Sequence, residues 1–253
     1  GSNRFNPDWG LLQGQPLGQG QNSYHKPQVS LSHSWEISDR SLLTTSLYGT
    51  WGRGGGTGLN YATNEAGARP SMRNNAADSL LNWDAIYAFN RGTNLDTVLN
   101  ADGSILARGH RSYGLLRYSN NNHDQYGLIS TFQQGLGESL KLLAGVDLRT
   151  YTSEHFRDIR NLIGGDYYIE TGYENDPELI TLNQSGQRDT LNGRIVRQRG
   201  VMDYHYQTRI NNYGGFATLE LNKDIVSAYI SGAFNSTSMQ RVELMNPTRA
   251  NRD

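Results

Sequence analysis

Between Lys26 and Gly56 the sequence alternates apolar and polar residues twice over, and this pattern limits what the chain can fold into more than any other. In the first run Val29, Leu31, His33, Trp35 and Ile37 fall on one face, and Gln28, Ser30, Ser32, Ser34 and Glu36 on the other. In the second run Leu43, Thr45, Leu47, Gly49 and Trp51 oppose Leu42, Thr44, Ser46, Tyr48 and Thr50. Successive side chains of an extended strand point to opposite faces, so a period of two means strands. The polar turn Ser38-Asp39-Arg40 makes them a hairpin. The polar face is composed as if it met water; the apolar face fits a protein core or lipid. Each run matches a tilted membrane-spanning strand of roughly 9–11 residues, against about 5–6 for a soluble one.

Composition narrows the classes. The chain has 253 residues and a net charge of −1, so it carries no basic footprint for nucleic acid. Apolar residues are only 36% and mean hydropathy is −0.66, sparse for a soluble core, while 15 Tyr and 4 Trp argue against disorder. A membrane barrel tolerates such values, because only alternate strand residues meet lipid. There is no Cys, hence no disulfide framework and no thiolate site. No run approaches the length of a transmembrane helix, and GSNRFNPDWG lacks a basic-then-apolar leader.

The pattern recurs along the chain. Residues 1–25 read as a loop. A stretch from about Gly52 to Asn122 resists strand reading; it holds the glycine run 52–58 and a small hairpin signal at Thr97–Arg108 around Asp102-Gly103. A second hairpin runs from His123 to about Phe156, with Tyr126, Leu128, Ser130 and Phe132 on one face and Gly137-Glu138-Ser139 as its turn. Its return places Leu142, Ala144, Val146 and Leu148 opposite Lys141, Gly145, Asp147, Arg149 and Tyr151. After an irregular stretch, 157–211, a third hairpin spans Asn212 to about Val242 around Asn222-Lys223-Asp224. Short turns therefore gather at one end of about six strands and long connections at the other. Outer-membrane barrels share that asymmetry. Trp51, Tyr126 and Tyr213 at the loop-proximal ends, with Trp35 near a turn, fall in the outward set, as interfacial girdles do. A soluble β-sandwich with Trp in its core is the alternative.

Several segments carry a family resemblance: NPDWG (6–10), YHKPQVSLSHSW (24–35), the glycine run, NNHDQYGLIST (121–131), LLAGVDLRTYTSEHFRDI (142–159), LIGGDYY (162–168) and AYISGAFNSTSMQRVE (228–243). Over nearly its whole length the chain resembles the barrel of TonB-dependent outer-membrane receptors, of the type with an N-terminal carboxypeptidase-regulatory-like domain. The resemblance implies an all-β, antiparallel transmembrane barrel of about 22 strands with a plugged lumen. Nothing here matches the family's plug, TonB box, regulatory-like domain or C-terminal strand. Residues 1–253 thus look like an internal, partial barrel segment of about six strands, with short periplasmic turns, long extracellular loops and two unpaired edges.

Candidate sites are few. The glycine run fits neither G-x-G-x-x-G nor a P-loop and reads as a loop root. His25, His33, His110, His123, His155 and His205 lack metal-ligand spacing. The acidic residues Asp166, Glu170, Glu174, Asp176 and Glu178 fit no calcium loop. Neither a metal nor a cofactor is expected. Asp147, Arg149 and Glu220 lie on polar faces and would line a lumen, ion-pairing with a plug or one another or contacting solute. The loop aromatics Trp83, Tyr87, Tyr167, Tyr168 and Tyr173 are ligand candidates, since aromatic faces with nearby amides suit sugars, peptides or planar chelates. Packing the loops together is their plainer role. No catalytic constellation stands out, so the chain reads as no enzyme.

The function expected is a share in an outer-membrane transporter of a Gram-negative bacterium, whose loops capture an oligosaccharide, peptide or metal chelate. The resemblance implies energy from the TonB complex through the absent plug, a surface lipoprotein over the loops, and outer-membrane lipid around the wall. The alternative is a soluble secreted β-domain that binds glycans through loop aromatics.

Overall fold

A computed structural model describes residues 6–62, 64, 67–73, 79–93, 95–172, 176–182, 186 and 188–245. The chain is all-β, 72% strand and 4% helix, with antiparallel sheets. Strands β1 (Trp9–Leu12) and β2 (Gln15–Gly18) form a small hairpin, followed by β3 (Asn22–His25), β4 (Gln28–Ser38) and β5 (Ser41–Tyr61). Helix α1 (Trp83–Thr93) and the hairpin β6 (Leu95–Asn100) and β7 (Ile105–His110) lead into β8 (Gly114–Gly135) and β9 (Leu140–Asn161). Four short strands come next: β10 (Tyr168–Glu170), β11 (Glu178–Leu182), β12 (Arg188–Asn192) and β13 (Arg194–Val196). Strands β14 (Val201–Lys223) and β15 (Val226–Glu243) end the described chain.

The large sheet has the order β15-β14-β9-β8-β5, and β4 and β3 flank successive halves of β5. Pro27, between β3 and β4, has no N–H to give the ladder, but its carbonyl still accepts the Trp51 amide at 3.1 Å. Among the described residues the sheet does not close: β15 is one edge, and β3 with β4 is the other.

Register aligns the alternation of every strand. One row across the sheet is Leu31, Leu47, Leu128, Leu148 and Tyr213; another is Trp35, Leu43, Phe132, Ala144, Ala217 and Gly232. On the opposite face runs Ser30, Tyr48, Gly127, Arg149, Asn212 and Thr237. A slip of one residue anywhere would have mixed the faces. Polar groups within the sheet satisfy each other, as with Ser32 Oγ and Ser46 Oγ at 2.7 Å. Thr45 and Ser130 do so on the apolar face, at 2.9 Å.

Several sequence expectations need correction. The long strands reach 21 to 23 residues in β5, β8, β9 and β14, about 70 Å at 3.3–3.4 Å per residue and twice a membrane crossing. The glycine run 52–58 is no loop root but the continuation of β5, paired with β8 through Gly58↔Arg117. The described parts of the stretches read as irregular, and of residues 1–25, hold a helix and short strands. The Thr97–Arg108 hairpin is present as β6 and β7. The third turn sits slightly later than expected, at Asp224-Ile225.

These connecting segments build a cap at one end of the sheet, and the cap holds the buried core. Leu81, Trp83, Ile86, Leu116 and Ile163 form one cluster; Leu115, Ile159, Leu162, Val196 and Met202 another; Val98, Ala107, Tyr167, Ile169 and Leu179 a third. Leu115 and Leu116 are neighbours on β8, point to opposite faces, and are both buried. The cap therefore grips the sheet end from both sides.

Candidate functional site

The turn-proximal half of the sheet offers two unlike faces. On the apolar face Leu31 is 66% exposed, Ile230 72% and Phe234 67%. Residues that a sandwich would bury are exposed here. At the upper border of this band Trp51 meets Tyr126 edge-on at 5.8 Å, and the indole Nε1 donates to the Tyr126 hydroxyl at 2.8 Å. Tyr213 lines the same shallow apolar surface with Val29, Leu47 and Leu148. Just above it the residues become charged: Arg53 forms a two-pronged pair with Asp124, and His205 Nε2 lies 2.8 Å from Glu154 Oε1.

The polar face carries the three residues expected there. Asp147 and Arg149 bind each other, Arg149 Nε donating to Asp147 Oδ1 at 2.8 Å with a second bond beside it. Glu220 accepts from Asn222 Nδ2 at 2.7 Å and sits opposite Lys141 on β9. Asp147 and Arg149 form one unit, and Glu220 lies nearer the turns.

The loop aromatics are spread through the cap. Trp83 is fully buried, and its Nε1 donates to the Leu17 carbonyl at 2.8 Å. It begins α1, where Asn82 caps the helix by accepting from the Ala85 amide at 2.9 Å. Asp84 in the first turn and Arg91 in the last complement the helix dipole. Trp83, Ile86 and Asn90 recur at helical spacing and turn one stripe inward. Tyr87, on the same helix, is half-buried, and its bond to Arg91 draws the hydroxyl pKa down. Tyr167 is fully buried, and its hydroxyl has no hydrogen-bond partner among the described residues. Burial, and then the Asp96 carboxylate, push its pKa well above the usual tyrosine value. Tyr168 is raised by burial and by Glu170. Tyr173 lies outside the described residues. Trp83 and Tyr167 thus offer no face to solvent, and these aromatics do not converge on a common cleft.

Two sets of residues escaped the sequence reading. Asn90 is fully buried, its Nδ2 within reach of the Gly114, Leu162 and Ile163 carbonyls at 2.7, 3.1 and 2.8 Å. Its Oδ1 accepts from the Tyr113 and Gly114 amides at 2.9 and 3.2 Å, which ties α1 to β8 and to the chain leaving β9. No local pattern marks such an asparagine. The other set is Arg117, Ser119 and Asn121, which continue the odd-numbered face of β8 beyond His123. Their period of two is a legible signal in the sequence.

Among the described residues no group of three His, Cys, Asp or Glu is placed to hold a metal ion. No family model, curated protein or solved structure matches this chain.

Proposed function

We propose that the chain forms part of the wall of an outer-membrane transporter barrel of the TonB-dependent kind. The observation that carries this reading is the apolar face: six long strands expose Leu, Val, Ile and Phe in one register, bordered by Trp51, Tyr126 and Tyr213. In water such a face would drive association; in a bilayer it meets hydrocarbon, with the aromatics at the interface. The opposite face, hydroxyls and amides with the Asp147–Arg149 pair, suits a water-filled or plugged lumen. The two open edges pair with further strands of the wall. The structured cap lies outside the membrane, where it receives substrate. Energy comes from the TonB complex through a plug, and a surface lipoprotein covers the cap. The reading assigns no catalytic residue.

The test is fractionation of the source cells with the intact mass of the protein that carries this sequence. Recovery in the outer-membrane fraction, detergent-dependent and several times 28.2 kDa, is expected. A 28.2 kDa species soluble without detergent would overturn the proposal and leave a soluble β-domain as the reading.

A further inference from the structure

Above Trp51 the polar face changes character. The alternate positions of β5 there are Gly52, Gly54, Gly56 and Gly58, and neighbouring groups crowd the space their Cβ atoms would take. The His123 imidazole lies at Gly52, the Ser23 carbonyl and then the Tyr24 ring at Gly54, the Asn22 amide at Gly56 and the Arg117 guanidinium at Gly58. Planar groups thus lie low against the backbone. Beside them His123 stacks on Tyr151 at 5.9 Å and 26°, and His155 on Tyr206 at 5.1 Å and 25°. The Arg241 guanidinium sits 4.0 Å from the Tyr206 ring centre. Asn121 Oδ1 is 2.7 Å from His155 Nδ1.

Two guanidinium groups meet at one hydroxyl in this array. Arg117 Nη1 donates to Ser119 Oγ at 2.7 Å, and Arg157 Nε lies 3.4 Å from the same oxygen. Like charges held this close repel, and among the described residues a single carboxylate, Asp203, lies with the two guanidinium groups, leaving one positive charge unmatched. Arg157 pairs with Asp203, whereas Arg117 forms no ion pair with a carboxylate among the described residues. Burial and then the neighbouring Arg157 hold the Arg117 pKa below its ordinary value, against smaller opposing pulls from Tyr204 and Asp203. Directly above, Ile159 is buried under Leu162 and Val196, so the array lies against the floor of the cap.

We propose that this array is a binding platform for an acidic oligosaccharide, whose carboxylate or sulfate sits between Arg117 and Arg157. The guanidinium forks match such oxyanions in two-pronged fashion. Sugar rings lie along the His123–Tyr151 stack, since aromatic faces accept the C–H faces of pyranoses, whereas His155 and Arg241 take both faces of Tyr206. Asn121 and Ser119 meet their hydroxyls. From Tyr151 to Arg157 the extended strand spans roughly 20 Å, room for several rings. The inference rests on the barrel reading in one respect: that reading makes this face the lumen wall on the entry path.

The test is calorimetric titration of the detergent-extracted full-length protein with three tetrasaccharides, from heparin, from polygalacturonate and, uncharged, from cellulose. Binding of at least one acidic probe is expected, with the uncharged one weaker by about tenfold or more. Arg117→Gln weakens the acidic probe about tenfold, while Arg53→Gln, on the opposite face and five residues nearer the turns on β5, leaves it unchanged. Equal binding of all three probes, binding of neither acidic one, or equal loss in both variants would overturn the platform. Failure of these titrations on a protein found in the outer membrane sinks this inference alone. A protein soluble without detergent sinks the barrel reading, and binding to it would keep the platform but not the lumen.

Discussion

The Tyr48 ring lies over Gly127 across the β5–β8 pair, so close that a Cβ at 127 would stand 2.2 Å from the ring. Phe216 over Gly145 and Phe234 over Gly215 repeat the arrangement, with 2.5 and 2.6 Å at those positions. Aromatic rings thus fill the gaps that glycines leave in the strands. Gly127→Ala should displace Tyr48 and cost about 1–3 kcal/mol, as overpacking does. Gly232→Ala, where nothing lies within 4 Å, should be nearly neutral. Thermal unfolding followed by the far-ultraviolet strand signal separates the two, and equal midpoints would refute the packing role of Tyr48.

The two faces of β5 should answer a charge differently. Leu47→Arg puts a guanidinium on the face read as lipid-facing, at a cost of about 2–4 kcal/mol near the bilayer centre. Ser46→Arg, one residue away on the polar face, should be tolerated. Yield of folded protein in the outer membrane measures both. Comparable yields would count against a lipid-facing Leu47.

Asn90 should behave as a clamp of the cap. Asn90→Ala leaves the Tyr113 and Gly114 amides and three carbonyls without the bonds it supplied, a loss of about 2–4 kcal/mol. Hydrogen exchange should speed up in α1 and at 162–166 while β8 and β9 stay protected near the turns. Uniform loss of protection would show that the cap and the sheet unfold as one.

Tyr167 and Tyr168 should mark the alkaline limit of the cap. Burial raises both pKa values above the usual 10.0, so the folded state keeps protons that the unfolded state gives up. Their contribution is complete below 10.0 and is lost as the pH rises through the higher folded values. Ultraviolet titration should find these two among the last of the 15 tyrosines to ionise, and cap unfolding should accompany them. Tyr167→Phe removes a buried hydroxyl without a described partner and should raise alkaline stability. Early ionisation of all tyrosines would contradict the burial.

Much of the fold could be read along the chain because period two is local: each of the six long strands shows its faces without knowledge of its partner. Val29 to Ile37, Leu43 to Trp51 and Val226 to Phe234 needed only the alternation of their side chains, and the polar turns ended them. Asp147, Arg149 and Glu220 were placed on the polar face by the same count. Tertiary structure decided the rest. The glycines at 52–58 look like a loop because they carry no side chains, yet they are strand because Tyr24, His123 and Arg117 cover them from adjoining strands. Trp83 and Tyr167 look like ligand contacts in an irregular stretch; they are interior because α1 and β6–β13 fold back onto the strand ends, through contacts with Leu116, Val98 and Leu179. A strand's faces are set by its own residues, whereas burial within a cap depends on which distant segments come to lie against it.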